Sequence, residues 1–151
     1  MRSKVWCAAA ATLLLAGCGG APGTSSSTSA KAPATDSGSS DITIHGDASA
    51  PVNQIAVKAI ADLQDYWTQE FPKLYGKDYQ PVTGGFYSVM PSHDSPPPCT
   101  EDVSEVAGNA FYCASKDVVA WDAEGLLPEL QSKFGDFVIP IVFAHEWGHA
   151  V

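Results

Sequence analysis

The sequence predicts an α+β domain from three observations. A stripe of apolar residues recurs at helical spacing from Val52 to Trp67. Two short apolar runs, at 110–113 and 118–121, are separated by a turn-length segment. An eight-residue apolar run, Phe137 to Ala144, leads into a pair of histidines.

The elements follow in chain order. Asp47 or Ser49 can cap the first helix, with Pro51 in its first turn, where a missing backbone N–H costs nothing. Val52, Ile55, Ala56, Ala59, Leu63, Tyr66 and Trp67 supply its apolar face, and the helix is expected to end near Phe71-Pro72. Its aromatic residues read as core, and Lys58 and Asp62, at i and i+4, as a solvent-facing side. Pro81 to Pro98 is rich in Gly and Pro, which predicts a short strand around Phe86 to Val89 and then a loop near the cleft holding His93 and Pro96-Pro97-Pro98.

Ala110-Phe111-Tyr112-Cys113 and Val118-Val119-Ala120-Trp121 read as a hairpin turning at Ala114–Asp117, with Asp122 closing its second strand. Leu126, Leu127, Leu130 and Phe134 mark a short helix before Gly135. Gly135-Asp136 then offers a stop and an N-cap for the last helix, with Pro140 in or next to its first turn. Because the run from Phe137 to Ala144 is apolar on every side, this helix is expected to be buried, and it is too short to cross a bilayer.

That helix carries His145-Glu146-Trp147-Gly148-His149, a His-Glu-x-x-His pattern. Residues four apart share a helix face, so both imidazoles can address one metal ion while Glu146 sits beside it. Zn2+ held by neutral nitrogen ligands lowers the pKa of a bound water towards roughly 7, and a neighbouring carboxylate can take that water's proton. His145 and His149 are therefore the candidate metal ligands and Glu146 the candidate general base. A solvated helix with no metal is the alternative; the apolar flank favours the metal, because charged groups in a dry helix are costly unless paired or ligated. His45 and His93 lack ligand spacing and read as surface histidines.

The N-terminus has the features of a secretory signal: Arg2 and Lys4, an almost wholly apolar stretch from Val5 to Leu15, and a small-residue site. Leu15-Ala16-Gly17-Cys18 resembles the lipobox of bacterial lipoproteins, which implies cleavage before Cys18 and lipidation of its sulfur. A simple signal peptide cut near Ala21, or an uncleaved anchor, would equally face the protein outward. From Gly19 to about Ser40 the chain is Ser, Thr, Ala, Gly and Pro with one lysine and one aspartate, too poor in large apolar residues to fold. It reads as a tether spanning on the order of 25 Å.

Beyond residue 17 there are six lysines and no arginine against 17 acidic residues, a net charge of −11 with histidine neutral. Nucleic acid is not an expected partner, and membrane association rests on lipidated Cys18 rather than on basic residues. With Cys7 in the signal and Cys18 lipidated, Cys99 and Cys113 remain as the pair in an oxidising compartment. A disulfide is expected; use as metal ligands is the alternative, although no second close-spaced pair completes a structural zinc site.

From about Val52 onward the chain resembles the bacterial neutral zinc metallopeptidase family, within the larger zincin group. The resemblance is carried by Cys99, Asn109-Ala110-Phe111-Tyr112-Cys113, Asp117 with Val118-Val119-Ala120-Trp121-Asp122, Phe134-Gly135-Asp136 and Ala144-His145-Glu146-Trp147-Gly148-His149. The preceding lipobox and Ser/Thr-rich tether resemble the lipoprotein peptidases of actinobacteria. The resemblance implies a zincin-like α+β fold, His145 and His149 as Zn2+ ligands, Glu146 as catalytic base, and a Cys99–Cys113 disulfide. It also implies an acidic third ligand on a later helix, so the chain is expected to be the N-terminal part of the domain, ending on the motif helix. Family members commonly carry a further His and a Gln-containing helix after the second histidine, where this chain has Ala150-Val151. Completion of the site by Asp122, Glu124 or His93 would need a changed architecture.

The expected organisation is a lipoprotein signal peptide at 1–17, a lipidated tether at 18–48 and a metallopeptidase domain at 49–151. The expected function is zinc-dependent hydrolysis of peptide bonds in peptide or protein substrates, at the outer face of the cell membrane. The alternatives are a non-enzymatic truncated lipoprotein or interaction module, and a solute-binding lipoprotein, which the lack of a second lobe disfavours.

Overall fold

The computed structural model describes residues 42–151. The signal segment, Cys18 and the tether as far as residue 41 lie outside the described residues. The strands and α-helices of the described residues are β1 (Ile44–His45), α1 (Pro51–Tyr75), β2 (Gly85–Val89), β3 (Ala110–Cys113), β4 (Val118–Asp122), α2 (Leu126–Phe134) and α3 (Val138–Ala150). The α+β class and the order of elements expected from the sequence are found. Ile44 is in the core at 8% exposure, and residues 44 and 45 form the edge strand β1 of the sheet.

The four strands lie in the order β1-β2-β4-β3. β1 and β4 both run parallel to β2, with Ile44 opposite Phe86 and Phe86 opposite Val119. β3 runs antiparallel to β4 and forms the other edge, with Ala110 opposite Trp121 and Tyr112 opposite Val119. Every residue of β4 is buried, as a continuous apolar run between two neighbouring strands requires. Alternation places Val119 and Trp121 on one face, where they join Val52, Ala56, Ile60, Leu127, Ile139, Phe143 and Trp147 in a single core. The sheet is thus packed on one face by α1, α2 and α3.

Several local details depart from the sequence expectation. α1 runs through Pro72 to Tyr75 and ends at Gly76, whose left-handed backbone (φ 67°) sends its N–H back to the Pro72 carbonyl. Ala50, rather than Asp47 or Ser49, occupies the N-cap position; the Asp47 carboxylate accepts from the Ser49 N–H and hydroxyl instead. The aromatic stripe enters the core only in part, since Tyr66 is 54% and Tyr75 57% exposed. Asp136 does not cap α3; it accepts from the Gln131 side chain, and Phe137 occupies the cap position.

Cys99 and Cys113 form a disulfide, with Cα atoms 6.5 Å apart. It fastens the end of edge strand β3 to the loop that follows β2. Closing a loop of 14 residues restricts the unfolded chain by an amount worth about 3 kcal/mol.

A buried polar set ties the helical layer to the sheet. The Trp121 indole N–H donates to Asn53 Oδ1 at 3.0 Å, and Asn53 Nδ2 donates to Ser88 Oγ at 2.6 Å and to the Asp47 carbonyl at 2.7 Å. Asn53, at 1% exposure, is therefore a satisfied core amide at the junction of α1, β2 and β4.

Candidate metal centre

The pentad occupies the last two turns of α3. Successive residues of an α-helix are turned by about 100°, so His145 and His149 fall on one side, Trp147 on the opposite side and Glu146 between. The surroundings follow that division. Trp147 is 1% exposed, Glu146 is 6% exposed, and both histidines are exposed. The imidazole rings stand 5.0 Å apart between centroids with their planes at 85°.

The expectation of a helix buried on all sides is corrected here. Ile139, Phe143, Glu146 and Trp147 face the interior, whereas Phe137 (76%) and Ile141 (54%) are open along with the histidines. Composition cannot distinguish these faces, because both are apolar; the sheet and α1 cover only one side of α3.

Glu146 is held by the neighbouring sheet. Its Oε2 accepts the backbone N–H of Tyr112 at 3.0 Å, from the outer edge of β3. Burial raises its carboxyl above the ordinary glutamate value, against the opposing influence of His145, the Tyr112 N–H and His149. Tyr112 is itself anchored through its hydroxyl, which donates to Asp117 Oδ1 at 3.1 Å, while Asp117 Oδ2 accepts from the Thr83 backbone N–H and hydroxyl. Asp117 takes positive φ at 53° to make this turn.

On the buried side, the Trp147 indole N–H donates to the Tyr79 hydroxyl at 2.9 Å, and its ring stacks on Phe86 with centroids 6.0 Å apart. Tyr79 lies between α1 and β2 and packs against Phe71. Sequence reasoning missed both Tyr79 and the Tyr112 backbone group. Tyr79 belongs to no motif and its hydrogen bond from Trp147 spans 68 residues, while the Tyr112 group is a backbone N–H that its side-chain identity does not reveal.

The pair of imidazoles fits Zn2+ as two of its ligands: both are exposed, on one face, next to a buried carboxylate with a fixed partner. Among the described residues, no cluster of three His, Cys, Asp or Glu could hold a metal. The other candidates are engaged elsewhere. Glu124 accepts from the Ser92 N–H at 3.1 Å and hydroxyl at 2.6 Å, and His93 contacts the same hydroxyl through Nδ1. His45 stacks on Tyr87.

Asp122, 3% exposed, accepts four backbone N–H bonds, from Gly108, Glu124, Gly125 and Leu126, at 2.7 to 3.2 Å. It thus organises the turn into α2 and leaves Gly125 no room for a side chain, because a Cβ there would lie 2.7 Å from Asp122 Oδ2. Burial pushes the Asp122 carboxyl up, but the backbone donors outweigh it and hold the group below its ordinary value. A lowered folded pKa means that the carboxylate stabilises the fold above its unfolded pKa, and that this is lost as pH falls through the folded value. Asp122→Asn is expected to cost about 1 to 3 kcal/mol at pH 7, with the gap to wild type narrowing below about pH 4. Urea unfolding of both proteins at pH 7 and pH 3 checks this; a gap that widens in acid contradicts it.

An α+β domain whose exposed helix face presents His-Glu-x-x-His beside an edge strand defines the class of zincin-like metallopeptidases. Residues 12–151 match the model of the family described as Putative neutral zinc metallopeptidase, and the chain belongs to that family. Comparison with curated proteins and with solved structures gives no match.

Proposed function

We propose that this protein is a membrane-anchored, extracytoplasmic zinc peptidase acting on peptide or protein substrates. The observation that carries the reading is the arrangement on α3: two exposed imidazoles on one face and, beside them, a buried Glu146 whose Oε2 is held by the Tyr112 N–H. His145 and His149 would hold Zn2+, together with a ligand from outside the described residues. Bound zinc supplies a Lewis acid that polarises the scissile carbonyl and acidifies water.

Glu146 does the proton work. Its Oε2 is occupied by the Tyr112 N–H, which leaves Oε1 to take the proton of the attacking water and later deliver it to the departing amine. The Cys18 lipobox and the tether support anchoring at the outer face of the membrane, and the Cys99–Cys113 disulfide agrees with an oxidising location. Among the described residues no helix is long and apolar enough to cross a membrane.

The test is zinc-dependent hydrolysis of unfolded casein by the purified protein. Chelation should abolish the activity and added Zn2+ restore it, while His145→Ala and His149→Ala should lose both bound zinc and hydrolysis. Hydrolysis that survives chelation or the loss of both histidines would overturn the proposal.

A further inference from the structure

We infer that Tyr79 is a positioning residue for the metal-binding face of α3, acting through the indole of Trp147. The inference rests on the zinc reading above and extends it to a residue outside the motif. Its starting point is the rotation of the helix: His145 and His149 share one face of α3, and the rotation of α3 about its axis sets where that face points relative to β3 and to a ligand from another element. A few degrees of roll carry both imidazoles and Glu146 together, relative to β3 and its Tyr112 N–H.

Few interactions can fix that rotation. The exposed side of α3 makes no contact that would do so, since Phe137, Ile141, Ala144, His145, Gly148 and His149 are all open. On the inner side, Ile139 packs in the apolar core and Phe143 stands edge-on to Trp121, contacts that seat the helix on the sheet without a hydrogen bond. Two hydrogen bonds are directional. One is the Tyr112 N–H to Glu146 Oε2, and the other is the Trp147 indole N–H to the Tyr79 hydroxyl. They come from different elements and meet the helix on different sides.

The Tyr79 bond is placed to matter most for the histidines. Trp147 stands opposite the ligand face and is 1% exposed, so its N–H has no access to water as a substitute partner. Tyr79 is 9% exposed and wedged against Phe71 near the end of α1, which makes its hydroxyl a fixed acceptor rather than a mobile one. The stacking of Trp147 on Phe86 sets the plane of the indole, and the Tyr79 hydroxyl sets its direction within that plane. Together these define where the opposite face points.

Tyr79→Phe removes only the hydroxyl. Cobalt(II) serves as the probe, because its absorption reports both affinity and coordination geometry independently of hydrolysis. The full-length Tyr79→Phe protein, at a temperature where circular dichroism shows it folded, is expected to bind cobalt about tenfold more weakly, with an altered visible spectrum. Peptide hydrolysis should lose kcat with KM little changed.

Trp147→Phe removes the same hydrogen bond from its other end, so it should also weaken cobalt binding, and the double variant should lose little cobalt affinity beyond the weaker of the two single variants. A merely structural Tyr79 gives the opposite pattern: lower melting temperature, but wild-type cobalt affinity, spectrum and kcat. That result would overturn the inference while leaving the zinc reading intact. Wild-type protein that takes up no cobalt would overturn both.

Discussion

Glu146→Gln is expected to lower peptide hydrolysis by about 10² to 10⁴-fold, the usual worth of a positioned general acid–base group. Zinc uptake should be close to wild type. Glutamine preserves the shape of the side chain, and its amide oxygen can still accept the Tyr112 N–H that holds Glu146 Oε2. What it cannot do is accept a proton at working pH. Comparing kcat, KM and zinc content of the two proteins separates these roles: a fall in kcat at constant zinc content is the signature of lost proton transfer. A variant that hydrolyses at the wild-type rate would remove Glu146 from the mechanism.

Trp121→Ala is expected to cost about 3 to 5 kcal/mol, the range for deleting a large aromatic side chain from a packed core. Trp121 has 0% exposure, sits edge-on to Phe143 of α3 with centroids 5.0 Å apart, and donates its indole N–H to Asn53. Its loss would leave a cavity under the motif helix and an unsatisfied acceptor in the core, two costs that compound. Against a total stability of about 5 to 15 kcal/mol for an ordinary domain, that is a large fraction. Trp121→Phe should be milder, because it keeps most of the volume and loses the hydrogen bond. Urea titrations of the three proteins test the order wild type, Phe, Ala; an Ala variant within about 1 kcal/mol of wild type would contradict the assigned packing.

Strong local signals made much of this fold readable in the sequence. The α1 stripe, the β3–β4 hairpin with its four-residue turn and the disulfide partners were all expected, because periodicity, turn length and the oxidising compartment are properties of short segments or of composition. The His-Glu-x-x-His face was readable for the same reason. What was not readable depends on distant partners. Helix continuation through Pro72 is accompanied by packing of Phe71 on Tyr75 and Tyr79, and by the left-handed Gly76 that ends the helix a turn later.

The half-open state of α3 was hidden because its apolar residues surround the axis, and only the positions of the sheet and α1 decide which are covered. Asp122 read as a strand terminator, yet its four backbone partners make it the organiser of the turn into α2. Tyr79 gave no signal at all, since a single tyrosine in an irregular segment has no pattern to belong to.

The strand order also bears on how the chain reaches its native state. β3 and β4 are adjacent in sequence and antiparallel, so their pairing closes only a short loop and can form within microseconds. The parallel pairings of β2 with β4 and of β1 with β2 close far longer loops, the second of them spanning α1. The edge that carries the Tyr112 N–H is therefore expected to exist before the rest of the sheet. α3, which follows the hairpin in the chain, then meets a preformed donor for Glu146. A folding transition state polarised towards the hairpin follows, in which substitutions on β3 and β4 slow folding while those on β1 mainly speed unfolding.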